Sequence, residues 1–184
     1  MIKKYDIYEK YHNGFPRTEQ PNQIVIHGTG GGANAQALFN WILGDHFERA
    51  AAYKGGEGFP YLVDKNGDVY ELADPAKVWQ YHSGTGIHDK TTIGIECVNS
   101  NGGNLDTYSA AQYSGLCKLI MHLLDEFPVN MIVGHGRIQE RLTGRGKVCP
   151  GPRFQWNIIT NELTSRGYSY ETSAECIYNI KIGA

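Results

Sequence analysis

Ile24-Val25-Ile26 is a run of β-branched residues that stops at His27, and Gly28-Thr29-Gly30-Gly31-Gly32 follows at once. No other feature limits the fold so sharply. The run reads as a short buried strand. A tract so rich in glycine disfavours any regular element, so a loop must follow. A second junction repeats the form, with Met131-Ile132-Val133 running into Gly134-His135. Each strand end thus presents a histidine beside a glycine, and strand ends that border loops are where a sheet offers side chains to a cleft. A third strand spans 93–98. Its period of two puts Ile93, Ile95 and Cys97 on one face and Gly94, Glu96 and Val98 on the other.

The remaining segments supply helices and a hairpin. Tyr113, Leu116, Leu119, Ile120, Leu123, Leu124 and Phe127 recur at three and four residues, which predicts an amphipathic helix over 109–127. Residues 33–52 have a helical composition, with Ala37, Leu38, Trp41 and Ile42 at helical spacing. Lys65-Asn66-Gly67 between β-prone runs at 59–63 and 68–72 predicts a hairpin. Pro152 suits the first turn of a last helix that reaches residue 165. Residues 1–23 are polar and aperiodic and read as an arm, while Ile177, Ile180 and Ile182 in the tail, 167–184, suit an edge strand. The expected architecture is one α/β domain at 24–166, a central mixed sheet flanked by helices. A chain of 184 residues fits a single domain with a core of its own.

Charge and composition narrow the function. A net charge of −2 gives no basis for binding nucleic acid or for a polybasic membrane anchor. No stretch has the length of a transmembrane helix. Met1-Ile2-Lys3-Lys4-Tyr5-Asp6 lacks the apolar run of a secretory signal peptide, so cytoplasmic synthesis is expected. A monomer is expected as well. Cys97, Cys117, Cys149 and Cys176 are too few and too scattered for a disulfide scaffold. Reduced thiols, with one recruited to a metal, fit better.

That thiol is Cys149, in Gly146-Lys147-Val148-Cys149-Pro150-Gly151-Pro152. With His27 and His135 it makes two imidazoles and one thiolate, a set that suits zinc. Three protein ligands leave a fourth position for water, as in catalytic sites. Each residue alone has a plainer reading. A histidine after a strand is usually a satisfied loop or core residue, and a lone loop cysteine is usually inert. Glu96, beside Gly94 in an apolar strand, fits a cleft and equally fits the solvent face of an edge strand. Lys147 could point into the same site, or belong to a solvated basic loop with Arg137, Arg141 and Arg145.

Taken together and in order, six stretches resemble the type-2 N-acetylmuramoyl-L-alanine amidases. That family includes phage amidase lysozymes, cytosolic muropeptide-recycling enzymes and animal peptidoglycan recognition proteins. The stretches are Ile24-Val25-Ile26-His27-Gly28-Thr29, Tyr61-Leu62-Val63-Asp64-Lys65-Asn66-Gly67-Asp68-Val69-Tyr70, Tyr81-His82-Ser83-Gly84, Ile93-Gly94-Ile95-Glu96, Ile132-Val133-Gly134-His135 and Lys147-Val148-Cys149-Pro150-Gly151-Pro152. The resemblance implies one Zn2+ per chain in a surface groove, bound by His27, His135 and Cys149. It implies that Glu96 and Lys147 are catalytic. It implies peptidoglycan or muropeptides as the partner, cut between N-acetylmuramic acid and L-alanine. His82 matches a groove position that meets substrate or stands behind a ligand. Asn99 and Phe59 are also expected to contact substrate.

Three departures from the family pattern stand out. Phe59 occupies the place of a catalytic tyrosine in the phage lysozymes, so that role falls to Glu96 or is lost. Gly28 replaces a second histidine that commonly follows the first ligand. The interval from His135 to Cys149 is long for the family, so 136–146 is expected to be an inserted loop at the groove rim, and Lys54-Gly55-Gly56-Glu57-Gly58 another flexible rim. Two other functional classes stay open. One is a recognition module that binds muropeptide without cutting it. The other is a thiol hydrolase with Cys149 as nucleophile and His135 as base. A phage endolysin acting on the wall after release is the expected setting, with a cytosolic recycling enzyme as the alternative.

Overall fold

In a computed structural model, residues 1–4, 14–43, 58–84, 86–144 and 147–183 are described. Eight of their strands form one mixed sheet. In chain order the elements are β1 (Ile2–Lys4), β2 (Phe15–Pro16), β3 (Gln23–Gly28), α1 (Ala35–Leu43), β4 (Tyr61–Val63), β5 (Val69–Glu71), β6 (Val78–Trp79), α2 (Gly86–Asp89) and β7 (Thr92–Cys97). They continue as α3 (Ala110–Glu126), β8 (Met131–Gly134), α4 (His135–Thr143), α5 (Trp156–Ser165), β9 (Tyr168–Ser173) and β10 (Cys176–Ile182). The sheet order is β1-β5-β4-β7-β3-β8-β10-β9, and β2 and β6 pair separately. The centre is parallel, with β3 between β7 and β8 and β4 beyond β7. The β4–β5 hairpin and the β8–β10–β9 side are antiparallel.

The two faces of this sheet are chemically different. Ile24, Ile26, Ile93, Ile95 and Ile132 point to one face and meet Leu116, Ile120 and Leu123 of α3 and Ile159 and Leu163 of α5 in the main core. The opposite face carries two smaller clusters. Leu62 and Val98 pack against Ala35 and Phe39 of α1, while Val25, Val133 and Cys176 pack against Ile138 of α4. Between those clusters lie the polar side chains described below.

Helix α3 follows its sequence pattern closely. The Ser109 hydroxyl accepts from the Gln112 amide at 3.0 Å as an N-cap. Pro128 stands just beyond the last turn and cannot continue it. Gln112 is buried, and its side-chain amide donates to the carbonyls of Val63 (3.1 Å) and Val98 (3.0 Å). It thereby fastens α3 to the ends of β4 and β7. Arg17 does similar work on the other side, donating to the carbonyls of Val78 (3.2 Å), Thr92 (3.0 Å) and Lys90. Burial lowers its pKa to about 10, still well above neutrality.

Several expectations change against the structure. Residues 136–146 are not an inserted loop as far as they are described: α4 starts at His135, runs to Thr143, and ends at Gly144 in a left-handed conformation (φ 70°). Ile138 is the large apolar residue that packs this helix onto the sheet; Leu142, the other, is exposed. The arm, 1–23, contributes β1 beside β5 and β2 beside β6. The tail forms two strands rather than one, of which β10 pairs with β8 and β9 takes the edge. Pro152 lies in a turn before α5, which starts at Trp156. Helix α1 is described to Leu43, and the rest of the helix expected to 52 lies outside the described residues. So do residues 54–57 of the expected rim. No helix among the described residues is long and apolar enough to cross a membrane.

The hairpin turn docks on α3 through bare backbone, and this sets a test. A Cβ at Gly115, inside α3, would stand 2.3 Å from the Gly67 carbonyl oxygen. Gly to Ala in a helix interior ordinarily stabilises by about 1 kcal/mol. Overpacking against rigid backbone costs about 1–3 kcal/mol. We expect Gly115→Ala to be destabilising despite its helix propensity, and urea unfolding at constant m would show an increased midpoint if the contact were absent.

Candidate metal centre and active site

The parallel register of three strands assembles the site. Val25 pairs with Gly94 and with Val133, and His27 pairs with Glu96. Paired residues point to the same face. His27 and Glu96 therefore stand side by side on the α1/α4 face, and His135, two residues beyond Val133, joins them at the start of α4. The Cys149 loop is then brought in by the helix: the Gly136 amide donates to the Cys149 carbonyl at 2.8 Å. One otherwise orphaned N–H of the first turn of α4 is satisfied in this way.

His27, His135 and Cys149 each offer one donor atom, all within 4.8 Å of one another. They are 2%, 7% and 8% exposed. Zinc bonds of about 2.0–2.3 Å place tetrahedral donors roughly 3.5 Å apart, so the set could close on one ion if each donor moved by less than about 1 Å. The donor chemistry fits as well, with two nitrogens and one sulfur. The His135 ring donates to the Ser83 backbone carbonyl, while its Nε2 is buried without a hydrogen-bond partner among the described residues. The Gly28 amide donates to Cys149 Sγ at 3.4 Å, a contact that favours a thiolate.

A hydrogen-bonded chain fixes which nitrogen of His27 is free. The Thr92 hydroxyl donates to the Asp89 carbonyl at 3.4 Å, so toward His82 it accepts, and His82 Nε2 donates to it at 2.9 Å. The Asp89 carboxyl lies 3.5 Å from the same Nε2. His82 Nδ1 must then accept from His27 Nε2, at 3.0 Å. His27 Nδ1 keeps its lone pair, 3.8 Å from Glu96 Oε1. Metal-binding histidines are held by outer partners in this manner. The His82 ring itself packs on Gly94, where a Cβ would come within 2.8 Å of its Cγ. The space beside Glu96 is thus filled by an imidazole.

The expected site residues fall into two groups. His27, His135, Cys149 and Glu96 converge. Lys147 is exposed in the loop before Cys149, and its charge acts on His27, His135 and Cys149. The His82 side chain is 2% exposed and stands behind His27 rather than on a groove surface. Asn99 is buried, with its amide engaged by Asp106 and Asn101 within the loop after β7. Phe59 is half-buried against the cluster of Leu62, Leu72 and Val98. Sequence reasoning missed Asp89 and Thr92, whose only sign was their closeness to His82 in the chain.

Burial sets the charge of this cluster in the metal-free protein. Desolvation drives His27 well below the usual imidazole range, helped by His82 and His135. Desolvation and the charge of His135 lower His82 to about 3, and desolvation and Lys147 lower His135 to about 4. Burial raises Glu96 to about 8, and burial with Glu96 pushes the Cys149 thiol up to about 12. All five groups are therefore held neutral near pH 7. A bound dication reverses that logic, favouring thiolate and carboxylate.

A single-domain mixed-sheet α/β protein with a buried His-His-Cys donor set beside a carboxylate is the class these observations define. The sequence profile of the N-acetylmuramoyl-L-alanine amidases matches residues 17–152, and the chain belongs to that family. No curated protein matches the chain. Among solved structures, the N-acetylmuramoyl-L-alanine amidase LysC from Clostridium intestinale URNW is similar with a TM-score of 0.65 at 20% identity, over 89% of this chain and 97% of its own. The Ph2119 endolysin from Thermus scotoductus MAT2119 bacteriophage Ph2119 gives 0.62 at 21% identity, over 88% and 98%. PGRP-SA of Apis mellifera gives 0.63 at 15% identity, over 86% and 94%. At these identities the likeness is one of fold.

The depressed imidazoles predict an acid-sensitive metal-free fold. For His82 the unfolded chain takes up a proton below about pH 6.5, while the folded chain does not until about pH 3. Stability from this group is present above pH 6.5 and is lost as pH falls toward 3. Glu96 acts with the opposite sign between about 4.5 and 8. In chelator-stripped protein, His82→Gln should flatten the fall in unfolding free energy between about pH 6 and 4 by about 1.4 kcal/mol per pH unit, the contribution of one proton. Equal slopes for parent and variant would mean that His82 titrates alike in both states.

Proposed function

We propose that this chain hydrolyses the amide bond between N-acetylmuramic acid and L-alanine in peptidoglycan, using one zinc ion held by His27, His135 and Cys149. The observation that carries the reading is the buried three-donor cluster with Glu96 at its edge, 3.8 Å from the free nitrogen of His27. The zinc would supply Lewis acidity at the scissile carbonyl and a water of lowered pKa.

The chain's own residues divide the remaining work. Glu96 takes a proton from the attacking water and passes it to the departing amine of L-alanine. Lys147, exposed beside the site, offsets the negative charge that develops on the carbonyl oxygen. His82 takes no part in proton transfer here; it holds His27 in the tautomer that leaves Nδ1 free. Phe59 has no hydroxyl with which to share the proton, which leaves that role to Glu96. The family match and the fold shared with the Ph2119 endolysin support an endolysin as the biological setting.

Purified protein should carry about one zinc per chain by elemental analysis, and replacing His27, His135 or Cys149 should lower that content and abolish wall lysis. A chelator should abolish activity and zinc restore it; an enzyme that stayed active without metal would be working through the Cys149 thiol. Muropeptide digests should gain free L-alanine amines with glycan strands intact, and new reducing sugar ends would overturn the reading.

The catalytic assignments are separable from metal binding. Glu96→Gln should keep the fold and the zinc and lose roughly 10²-fold or more in kcat. Lys147→Ala should lose about 10²- to 10³-fold. A fully metallated Glu96→Gln variant with near-normal turnover would remove Glu96 from the mechanism.

A further inference from the structure

His27 and Cys149 come from opposite ends of the chain, and the loop between β7 and α3 stands on both of their backbones. At its centre is Asn104, buried and left-handed (φ 58°). Its side-chain oxygen accepts from the Gly30 amide at 2.8 Å. Its side-chain nitrogen donates to the Val148 carbonyl at 3.2 Å. One carboxamide thus joins the loop that follows His27 to the residue that precedes Cys149. Tyr108, four residues on, donates its hydroxyl to the Pro150 carbonyl at 2.6 Å, just past the same cysteine.

The fit around this amide is close. A Cβ at Gly28 would stand 2.4 Å from Asn104 Oδ1 and 2.5 Å from the Tyr108 hydroxyl. The missing side chain at Gly28 is therefore the space that Asn104 and Tyr108 occupy. It is also the Gly28 amide that donates to Cys149 Sγ. The loop is anchored in turn: Thr29 Oγ1 accepts from the Asn99 amide at 2.9 Å and donates to the Gly31 carbonyl at 2.7 Å. Asn99 Nδ2 donates to the Asp106 carbonyl at 3.2 Å.

We propose that Asn104 is a positioning residue of the metal centre, whose amide clasps the His27 loop to the Cys149 loop and so sets the distance between the imidazole and thiolate donors. The chemistry selects the residue. The clasp needs an acceptor and a donor on one short side chain, which an amide has and an ionised carboxylate lacks. The backbone needs a positive φ, which asparagine tolerates better than most residues. The inference rests on the zinc reading above.

The test compares the parent with Asn104→Gly, which keeps the backbone free and deletes both bonds, and with Asn104→Asp, which keeps the shape and the acceptor but loses the donor to Val148. Zinc affinity is measured by competition with a chromogenic chelator. In cobalt-substituted protein the near-ultraviolet thiolate-to-metal band reports how Cys149 is held. Thermal unfolding of the metal-free forms reports the fold. We expect Asn104→Gly to lose about 10-fold or more in zinc affinity, the scale of losses when partners outside the ligand set are removed. Its thiolate band should weaken or shift, and Asn104→Asp should fall between it and the parent. Variants that bind zinc within twofold of the parent with an unchanged cobalt spectrum would overturn the clasp. A loss of thermal stability alone, with both metal readouts unchanged, would do the same. If Asn104→Gly does not fold, the isosteric Asn104→Asp decides by the same two readouts. A parent that binds neither metal would instead overturn the zinc reading, and the clasp with it.

Discussion

The register of β3 between β7 and β8 is the constraint on which the rest of the site depends. It sets Val25 against Gly94 and Val133, and His27 against Glu96. Side chains alternate across a sheet, so a slip of one residue would turn His27 into the isoleucine core and bring Ile26 out onto the polar face. That slip is strongly opposed. Ile24, Ile26, Ile93, Ile95 and Ile132 are all fully buried under α3 and α5. At about 25 cal/mol per Å2 of apolar surface, exposing even a few of them would cost several kcal/mol. The apolar face therefore specifies where the polar residues of the other face stand, although it touches none of them.

That other face holds groups that water would normally solvate. Three imidazoles, a carboxyl and a thiol are buried within one neighbourhood, and burial alone pushes each toward its neutral form. A neutral cluster avoids the large penalty of isolated buried charge. It is also a set of lone pairs and dissociable protons whose balance a divalent cation would shift toward thiolate and carboxylate. His82 stays outside that exchange, because both of its nitrogens are already committed to His27 and to the Thr92–Asp89 pair. Its value lies in being fixed.

The sequence made the central strands legible because their signal is local. Ile24-Val25-Ile26, the alternation at 93–98 and the Asn-Gly hairpin each carry their own pattern. The long helix was legible for the same reason, with bounds within a residue of the observed Ala110–Glu126. Helix α4 was not, because Ile138 is its one buried large apolar residue and the long interval from His135 to Cys149 read as an inserted loop. Gly144, a left-handed residue at its C-terminus, was the overlooked signal. The edge strands β1 and β9 are short or polar, so nothing in their composition reveals that they pair. At the site, His27, His135 and Cys149 could be singled out by residue type and by their bordering glycines. Asp89, Thr92 and Asn104 could not, since their roles arise from contacts between segments up to 74 residues apart. Asn99 drew attention for a position near the groove, yet it spends its amide inside its own loop.

What distinguishes a metal site from a chance meeting of polar side chains is where their unused atoms point. On the outer side, His27 Nε2 is occupied by His82, the His135 ring by the Ser83 backbone, and Cys149 Sγ by the Gly28 amide. Two of these partners, His82 and Ser83, are consecutive in the chain, and the third, Gly28, directly follows His27. The atoms left over are His27 Nδ1, His135 Nε2 and one sulfur lone pair, with Glu96 Oε2 also buried and without a hydrogen-bond partner among the described residues. Folded proteins rarely leave such atoms unsatisfied. A merely structural cluster would have turned them toward one another at hydrogen-bond distance. Here the donor atoms of His27, His135 and Cys149 all lie within 4.8 Å of one another, near enough to share one ion.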